Sequence, residues 1–233
     1  MMKKINPYRH PYHWTLYGFL KKKYEQAYIL SRPYIRKKHV LDIGCGDGRL
    51  TYLISQDATK VVGIDHQEIA INFSKALAKS LNPDLKFLVH DITSKRFKLD
   101  QKFDVITCFD VIEHIEPEKL DILISNMKSH LHEHGLLILT TPNIKELKGR
   151  FFGHKMSEKH YKEYSVDGIT EVLDSYGFNL LNIKGIYIPL PLPKFFDYLL
   201  NIPGFNIFFS LLIKLGNRFP KIADTLFVVA KKK

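Results

Sequence analysis

Val40-Leu-Asp-Ile-Gly-Cys-Gly-Asp-Gly-Arg49 joins an apolar run to three alternating glycines, and a helical pattern starts straight after it. Glycine serves a backbone that must turn sharply, adopt positive φ or let a ligand approach without a Cβ in the way. A strand–loop–helix unit of this kind puts its loop at the carboxyl end of a strand, where open α/β sheets bind ligands. The spacing is G-x-G-x-G, not the G-x-G-x-x-G of dinucleotide binders. Asp42, two positions before the first glycine, sharpens the distinction. Its carboxylate does nothing for a pyrophosphate but favours a ligand with a cationic amino-acid portion.

Outward from this loop, short apolar runs alternate with longer amphipathic ones. The pattern predicts strands at 39–43, 60–64, 86–89, 103–109 and 136–140, with helices at 49–56, 68–81 and 117–131. Val61-Val-Gly-Ile64 and Leu136-Leu-Ile-Leu139 are continuous apolar runs, as in parallel strands buried on both faces. The whole reads as a doubly wound α/β sheet. After Pro142-Asn143 a loop is expected. A helix from Ser165 to Tyr176 follows, with Ser165 as cap and Gly177 as stop, then strands near 179–188 and 225–230. Residues 1–38, aromatic and basic, read as an N-terminal helical arm. Residues 39–233 form the main domain, with an apolar helical insertion at about 189–224.

Two further acids follow strands, as Asp42 lies within one. Asp65 closes the second strand, roughly twenty residues after the glycines, the separation at which a carboxylate grips ribose hydroxyls. Asp91 follows the third, where it could take a hydrogen bond from an adenine amino group. An ordered set of three acids suits the polar parts of a nucleoside.

The composition agrees with a folded, cytoplasmic protein. Of 233 residues, 45% are hydrophobic and 25% charged, enough for a substantial core. Cys45 and Cys108, in apolar surroundings, suit a reducing compartment and offer no disulfide framework. The basic start runs into Pro7-Tyr-Arg-His10, not an apolar stretch, so no signal peptide is expected. A net charge of +11 favours anionic partners. Clusters such as Lys21-Lys22-Lys23 and Arg36-Lys37-Lys38 read as solvated helix faces.

Leu41-Asp-Ile-Gly-Cys-Gly-Asp-Gly48 resembles the first motif of class I S-adenosylmethionine-dependent methyltransferases. Phe103-Asp-Val-Ile-Thr-Cys-Phe-Asp-Val-Ile-Glu-His-Ile115 resembles the fourth-strand motif of the subgroup containing ubiquinone-biosynthesis O-methyltransferases. Thr141-Pro-Asn143, His160-Tyr-Lys-Glu-Tyr-Ser165 and Tyr176-Gly-Phe178 are similar to that subgroup as well. The resemblance covers about 40–188 and returns at 224–231. It implies a Rossmann-like seven-stranded sheet of order 3-2-1-4-5-7-6 with the last strand antiparallel, and S-adenosylmethionine as cofactor. The family's cofactor contacts fall by position on Gly44, Gly46, Asp65, Asp91 and Phe109. With Asp42 and the neighbours Cys45, His66 and Ile92 they make up the candidate cofactor set.

Methyl transfer from a sulfonium is an in-line displacement, which the enzyme serves by positioning and by excluding water. A hydroxyl acceptor must also lose its proton, and histidine suits that task near neutral pH. His114, just after the fourth strand, is the first candidate and His160 the second. Relatives of the ubiquinone type carry Glu-x-x-Glu-His associated with magnesium. Here Asp110, Glu113 and His114 match it with a shorter first acid, and no metal is assigned. His130-Leu-His-Glu-His134 reads as a solvated turn, not a zinc site.

The stretch Phe195–Leu215 is rich in Phe, Leu and Ile, with Phe205, Phe208, Phe209 and Leu212 at helical spacing. It reads either as a lid packed on the sheet or as an interfacial segment touching anionic membrane, since Lys194, Lys214, Arg218 and Lys221 flank it. No N-P-P-Y-type motif or added RNA-binding module points to nucleic acid. The expected function is methylation of the oxygen of a small or lipid-linked acceptor. An inactive cofactor-binding scaffold and a nicotinamide-dependent oxidoreductase are the alternatives, the latter opposed by the glycine spacing and Asp42.

Overall fold

The computed structural model describes residues 18–190 and 206–233. Its centre is a sheet of seven strands: β1 (His39–Ile43), β2 (Lys60–Asp65), β3 (Lys86–Val89), β4 (Phe103–Phe109), β5 (Leu131–Pro142), β6 (Phe178–Gly185) and β7 (Thr225–Lys232). They lie in the order β3-β2-β1-β4-β5-β7-β6. The first five run parallel, whereas β7 is antiparallel to both β5 and β6. This is the expected doubly wound topology. The order reverses on either side of β1, so the glycine loop after β1 and the segment after β4 open into one crevice.

Because alternate strand residues face opposite sides, each strand feeds two cores. Val40, Val61, Val105 and Ile138 meet one face, while Leu41, Val62, Ile106 and Leu137 meet the other. The first face is covered by α1 (Gly18–Ile35), α2 (Arg49–Ser55) and α3 (Glu68–Leu81), through Ala27, Ile35, Ile54 and Ile71. The second is covered by α4 (Leu120–His130) and α6 (Val166–Ser175), through Leu123, Ile124, Met127, Ile169 and Leu173. Ser165 caps α6 by accepting from the Gly168 N–H at 3.1 Å, as its place in the sequence suggests. The predicted arm is helical over Gly18–Ile35, and residues 1–17 lie outside the described part.

Three expectations are corrected. The loop after Asn143 contains a short helix, α5 (Leu147–Phe152). The histidine-rich run is solvated at His132 and His134, as expected, but it is not a turn ahead of the strand: β5 begins at Leu131, and the register with β4 shifts between Phe103↔Leu131 and Val105↔Leu136. The surplus residues bulge, with His134 at φ 62°, while His130 stays buried and its Nε2 accepts the Leu99 N–H at 3.0 Å. Lys23, read as part of a solvated cluster, is instead largely withdrawn from solvent in the crevice, where it pairs with Asp110.

In the insertion, α7 (Asn206–Arg218) is described, but Phe195, Phe196, Leu199 and Phe205 lie outside the described residues. Leu212 joins the core, whereas Phe208 and Leu211 face outward. Among the described residues no helix is long and apolar enough to cross a membrane.

Candidate active site

The glycine loop is stitched to the end of β2. Gly44 and Cys45 N–H both donate to the Ile64 carbonyl, at 2.8 and 3.0 Å, and Gly46 N–H donates to Asp65 Oδ2 at 3.0 Å. Two glycines are required here for separate reasons. Gly44 has φ +70°, and a Cβ on it would sit 2.3 Å from Val111 Cγ2, so the loop presses against the end of β4. Gly48, at φ +80°, starts α2 from a left-handed conformation.

Each acid has a distinct environment. Asp65 is buried, and its Oδ1 accepts from Gln67 N–H at 2.8 Å, which orders the entry to α3. A carboxylate has about four acceptor sites, so capacity remains for ligand hydroxyls. Asp91 Oδ1 accepts from the Thr93 N–H at 2.8 Å and hydroxyl at 2.6 Å, holding the turn after β3. Burial opposes ionisation there, but those bonds and the charges of His66 and Lys119 keep the carboxyl below its ordinary range.

Asp42 lies beneath the loop, with one oxygen accepting from Thr51 Oγ1 at 2.6 Å and the other from Thr107 Oγ1 at 2.7 Å. Burial pushes its carboxyl up to about 6 despite those bonds. A cationic ligand group above it would offset that cost.

Two cavities flank the loop. One of about 530 Å³ runs past Asp65, His66, Asp91 and Ile92. The other, about 420 Å³, is lined by Asp42, Cys45, Gly46, Phe109, Glu113 and His160. Both volumes are of ligand size. Gly44, Asp110, His114 and Lys159 line both, so the two cavities share a wall. Every residue of the candidate cofactor set lines one or both of them.

The shared wall is assembled from distant segments. Asp110 holds a left-handed conformation, φ 52°, rare without glycine and costly unless its surroundings over-determine it. Here its N–H donates to the Thr140 carbonyl at 3.1 Å, its Oδ1 accepts from Thr140 Oγ1 at 2.7 Å, and its Oδ2 pairs with Lys23 Nζ of α1 at 3.0 Å. Burial works against the charge of Lys23, yet Asp110 and Asp224 raise its pKa above the ordinary lysine value. Asp110 in turn is held low by Lys23 against the effect of its own burial.

Glu113 is 1% exposed, and burial together with Asp110 raises its carboxyl well above the usual range. Its Oε2 is buried without a well-formed hydrogen bond among the described residues, and the nearby Thr141 hydroxyl offsets only part of the cost of its charge. Its backbone carbonyl accepts the Tyr161 N–H at 2.8 Å, tying the loop of His160 to the end of β4.

The two candidate catalytic histidines meet, their ring centroids 4.8 Å apart. His114 Nδ1 lies 3.0 Å from the Lys159 carbonyl, which can only accept, so this nitrogen carries the proton and Nε2 keeps a lone pair. Partial burial lowers the His114 pKa and favours the neutral ring. His160 Nδ1 lies 2.5 Å from Glu163 Oε1, and His154 Nε2 lies 2.5 Å from Glu163 Oε2. Lys23, His154 and Glu163 were not among the expected site residues. Only the spacing of His160 and Glu163, three apart, hinted at one of these contacts.

The acid set that the resemblance associates with magnesium does not fit that ion. Asp110 is committed to Lys23 and Thr140, and His160 approaches Glu113 and His114 instead: one ligand atom from each of the three lies within 4.8 Å of the others. Magnesium prefers an oxygen-rich shell, and this one offers two nitrogens.

A family model described as "Methyltransferase domain" matches residues 36–184. The ubiquinone biosynthesis O-methyltransferase of Coxiella burnetii (strain Dugway 5J108-111) is 29% identical over 181 residues, covering 73% of this chain and 75% of that protein. Among solved structures, the N-methyltransferase NodS from Bradyrhizobium japonicum WM9, in complex with S-adenosyl-L-homocysteine, superposes with a TM-score of 0.65 at 17% identity. That match covers 95% of this chain and 91% of NodS. An S-adenosylmethionine-dependent methyltransferase from Clostridium acetobutylicum ATCC 824 gives a TM-score of 0.66 at 15% identity, covering 97% and 98%. These structural likenesses concern the fold.

Proposed function

The chain belongs to the methyltransferase-domain family, and from that premise we propose that it transfers the methyl group of S-adenosylmethionine to the oxygen of a small or lipid-linked acceptor. The observation that carries this reading is the wall common to the two cavities. The adenosine part of the donor has Asp65, Asp91 and Ile92 on one side, and its cationic amino-acid part has Asp42 beneath Gly44 and Gly46 on the other. The reactive methyl then falls near Asp110 and His114.

Oxygen is favoured over nitrogen by the two histidines. A neutral amine attacks through its lone pair without first losing a proton, whereas a hydroxyl is a weak nucleophile until it does. His114 keeps a free nitrogen at the shared wall, and His160 is held beside it by Glu163. We assign both to the acceptor's hydroxyl end. The sequence relatives named for O-methylation agree with this choice.

Two free, buried cysteines suit a reducing cytoplasm. The outward Phe208 and Leu211, on a helix ending at Arg218, support peripheral contact with anionic membrane, which would give access to lipid-linked acceptors.

The test is turnover of methyl-labelled S-adenosylmethionine against a metabolite extract, with His114→Gln beside wild type. Label is expected on oxygen. The variant should turn over roughly 10²–10⁴-fold more slowly with donor affinity unchanged. Donor binding without turnover in the wild type would instead mark a scaffold protein.

A further inference from the structure

We propose that Glu163 is a positioning residue of the transfer: its carboxylate fixes the His160 ring at the wall of the acceptor cavity and supplies the negative charge that stabilises this ring as it takes the acceptor's proton. The inference deepens the reading that the two histidines act on an acceptor hydroxyl, and rests on it.

The first observation is how Glu163 is held. Its side chain is 3% exposed, on a segment pinned on both sides. The Tyr161 N–H donates to the Glu113 carbonyl at 2.8 Å. Tyr164 bridges Asn143, just after β5, and its carbonyl accepts the Ile144 N–H at 3.2 Å. The two carboxylate oxygens are divided between two rings, Oε1 to His160 Nδ1 and Oε2 to His154 Nε2, both at 2.5 Å. His154 is in turn flanked by Glu146, whose Oε1 lies 4.0 Å from its Nδ1. A carboxylate engaged at both oxygens has little freedom to swing, so it dictates the direction of the rings it touches. When ionised it can only accept, which puts the proton of His160 on Nδ1 and leaves Nε2 for the cavity that this residue lines.

The second observation is the charge around the histidine pair. Asp110 is matched by Lys23 at 3.0 Å, and burial together with Asp110 keeps Glu113 from ionising readily. Glu163, by contrast, has both its oxygens on imidazoles. It is therefore placed to balance a positive charge on His160.

That charge arises in the reaction itself. The acceptor O–H gives its proton to Nε2, the oxygen's electron pair forms the bond to the methyl carbon, and the carbon–sulfur pair returns to sulfur as a neutral thioether. A carboxylate already in place at the far ring nitrogen stabilises the imidazolium without reorganising, as the acid of a catalytic triad does.

The test has two readouts. The first needs no acceptor: ring nitrogen shifts of His160 are measured by NMR on the full chain with S-adenosylhomocysteine, in mildly alkaline buffer. A single Nδ1–H tautomer is expected in the wild type and in His114→Gln, and a mixture in Glu163→Gln. The second is turnover of methyl-labelled S-adenosylmethionine with the metabolite extract. Glu163→Gln should lower the rate at saturating donor by about 10–100-fold, the scale of a hydrogen bond to a charged group, with the donor KM within about twofold. Glu163→Asp should recover part of the loss, and His154→Gln should lose only about two- to fivefold, since it touches His160 through Glu163 alone. Adding Glu163→Gln to His160→Gln should cost less than about twofold more, because one residue acts through the other. Thermal unfolding checks each variant, and if glutamine at 163 is not tolerated, Glu163→Asp carries the comparison with an intermediate loss. An Nε2–H tautomer in the wild type overturns the proposal. So does a full rate in Glu163→Gln, or a loss that multiplies with that of His160→Gln. Full turnover in both His114→Gln and His160→Gln defeats the underlying reading instead, and the proposal falls with it.

Discussion

The donor half of the crevice and the acceptor half are built in opposite ways. The donor half is local: Asp42, the three glycines and Asp65 lie within 24 residues of one another, on two strands paired in register. The acceptor half draws Lys23 from α1, Asp110 to His114 from the end of β4, Thr140 from β5, and His154 to Glu163 from the segment before α6. A local site is dictated by turn chemistry and strand order. A composite one exists only once the sheet has closed and its buried charges have found one another.

The largest effect that would break this contrast is expected at Lys23. Lys23→Met leaves the half-buried Asp110 with only Thr140 for company, and removing one partner of a largely desolvated pair exposes part of the desolvation cost of the other. A loss of about 2–4 kcal/mol is expected by denaturant unfolding, discounted because both groups edge onto the wet cavity. The double variant Lys23→Met/Asp110→Asn should recover most of it. An unchanged midpoint in the single variant would show that the arm does not hold the acceptor half together.

In the donor half, Asp65→Ala is expected to weaken S-adenosylhomocysteine binding by about 1.5–3 kcal/mol, the scale of charge-assisted hydrogen bonds. Asp65 also holds the Gly46 N–H, so part of the loss comes from a looser loop. Calorimetry on folded protein checks it. Equal affinity in variant and wild type would remove Asp65 from the ligand shell.

The smallest effect has a pH signature. Burial raises the Asp42 carboxyl from 3.8 to about 6. Because the folded value exceeds the unfolded one, the associated stability is full below the unfolded pKa and is lost as pH rises through the folded pKa. Near pH 7 the ligand-free protein therefore carries the cost of a buried charge. Asp42→Asn should raise ligand-free stability there by about 1–2 kcal/mol, with the gain vanishing near pH 4, while donor affinity falls. Equal unfolding curves at both pH values would show that this charge costs the fold nothing.

Much of the fold was legible because its signals are short in range. The continuous apolar runs at Val61–Ile64 and Leu136–Leu139 announced parallel strands, and Ser165 and Gly177 marked the ends of α6. The β5 start was misplaced because the bulge around His134 answers to pairing with β4, which no local pattern records. α7 divides between an inward Leu212 and an outward Phe208, so apolar spacing alone could not decide between lid and surface.

By itself, the sequence determined the glycine loop, the order of acids along β1 to β3 and the pairing of Glu113 with His114, all within single turns or strand ends. Tertiary structure alone decided that Lys23 of a basic cluster would pair with Asp110 in the crevice. It also decided that Glu163 would grip His160, and that His160 would come beside Glu113 and His114. The reason is physical. A turn's geometry follows from the residues within it, whereas the partner of a buried charge depends on which distant segments the sheet brings together, and that is a property of the whole chain.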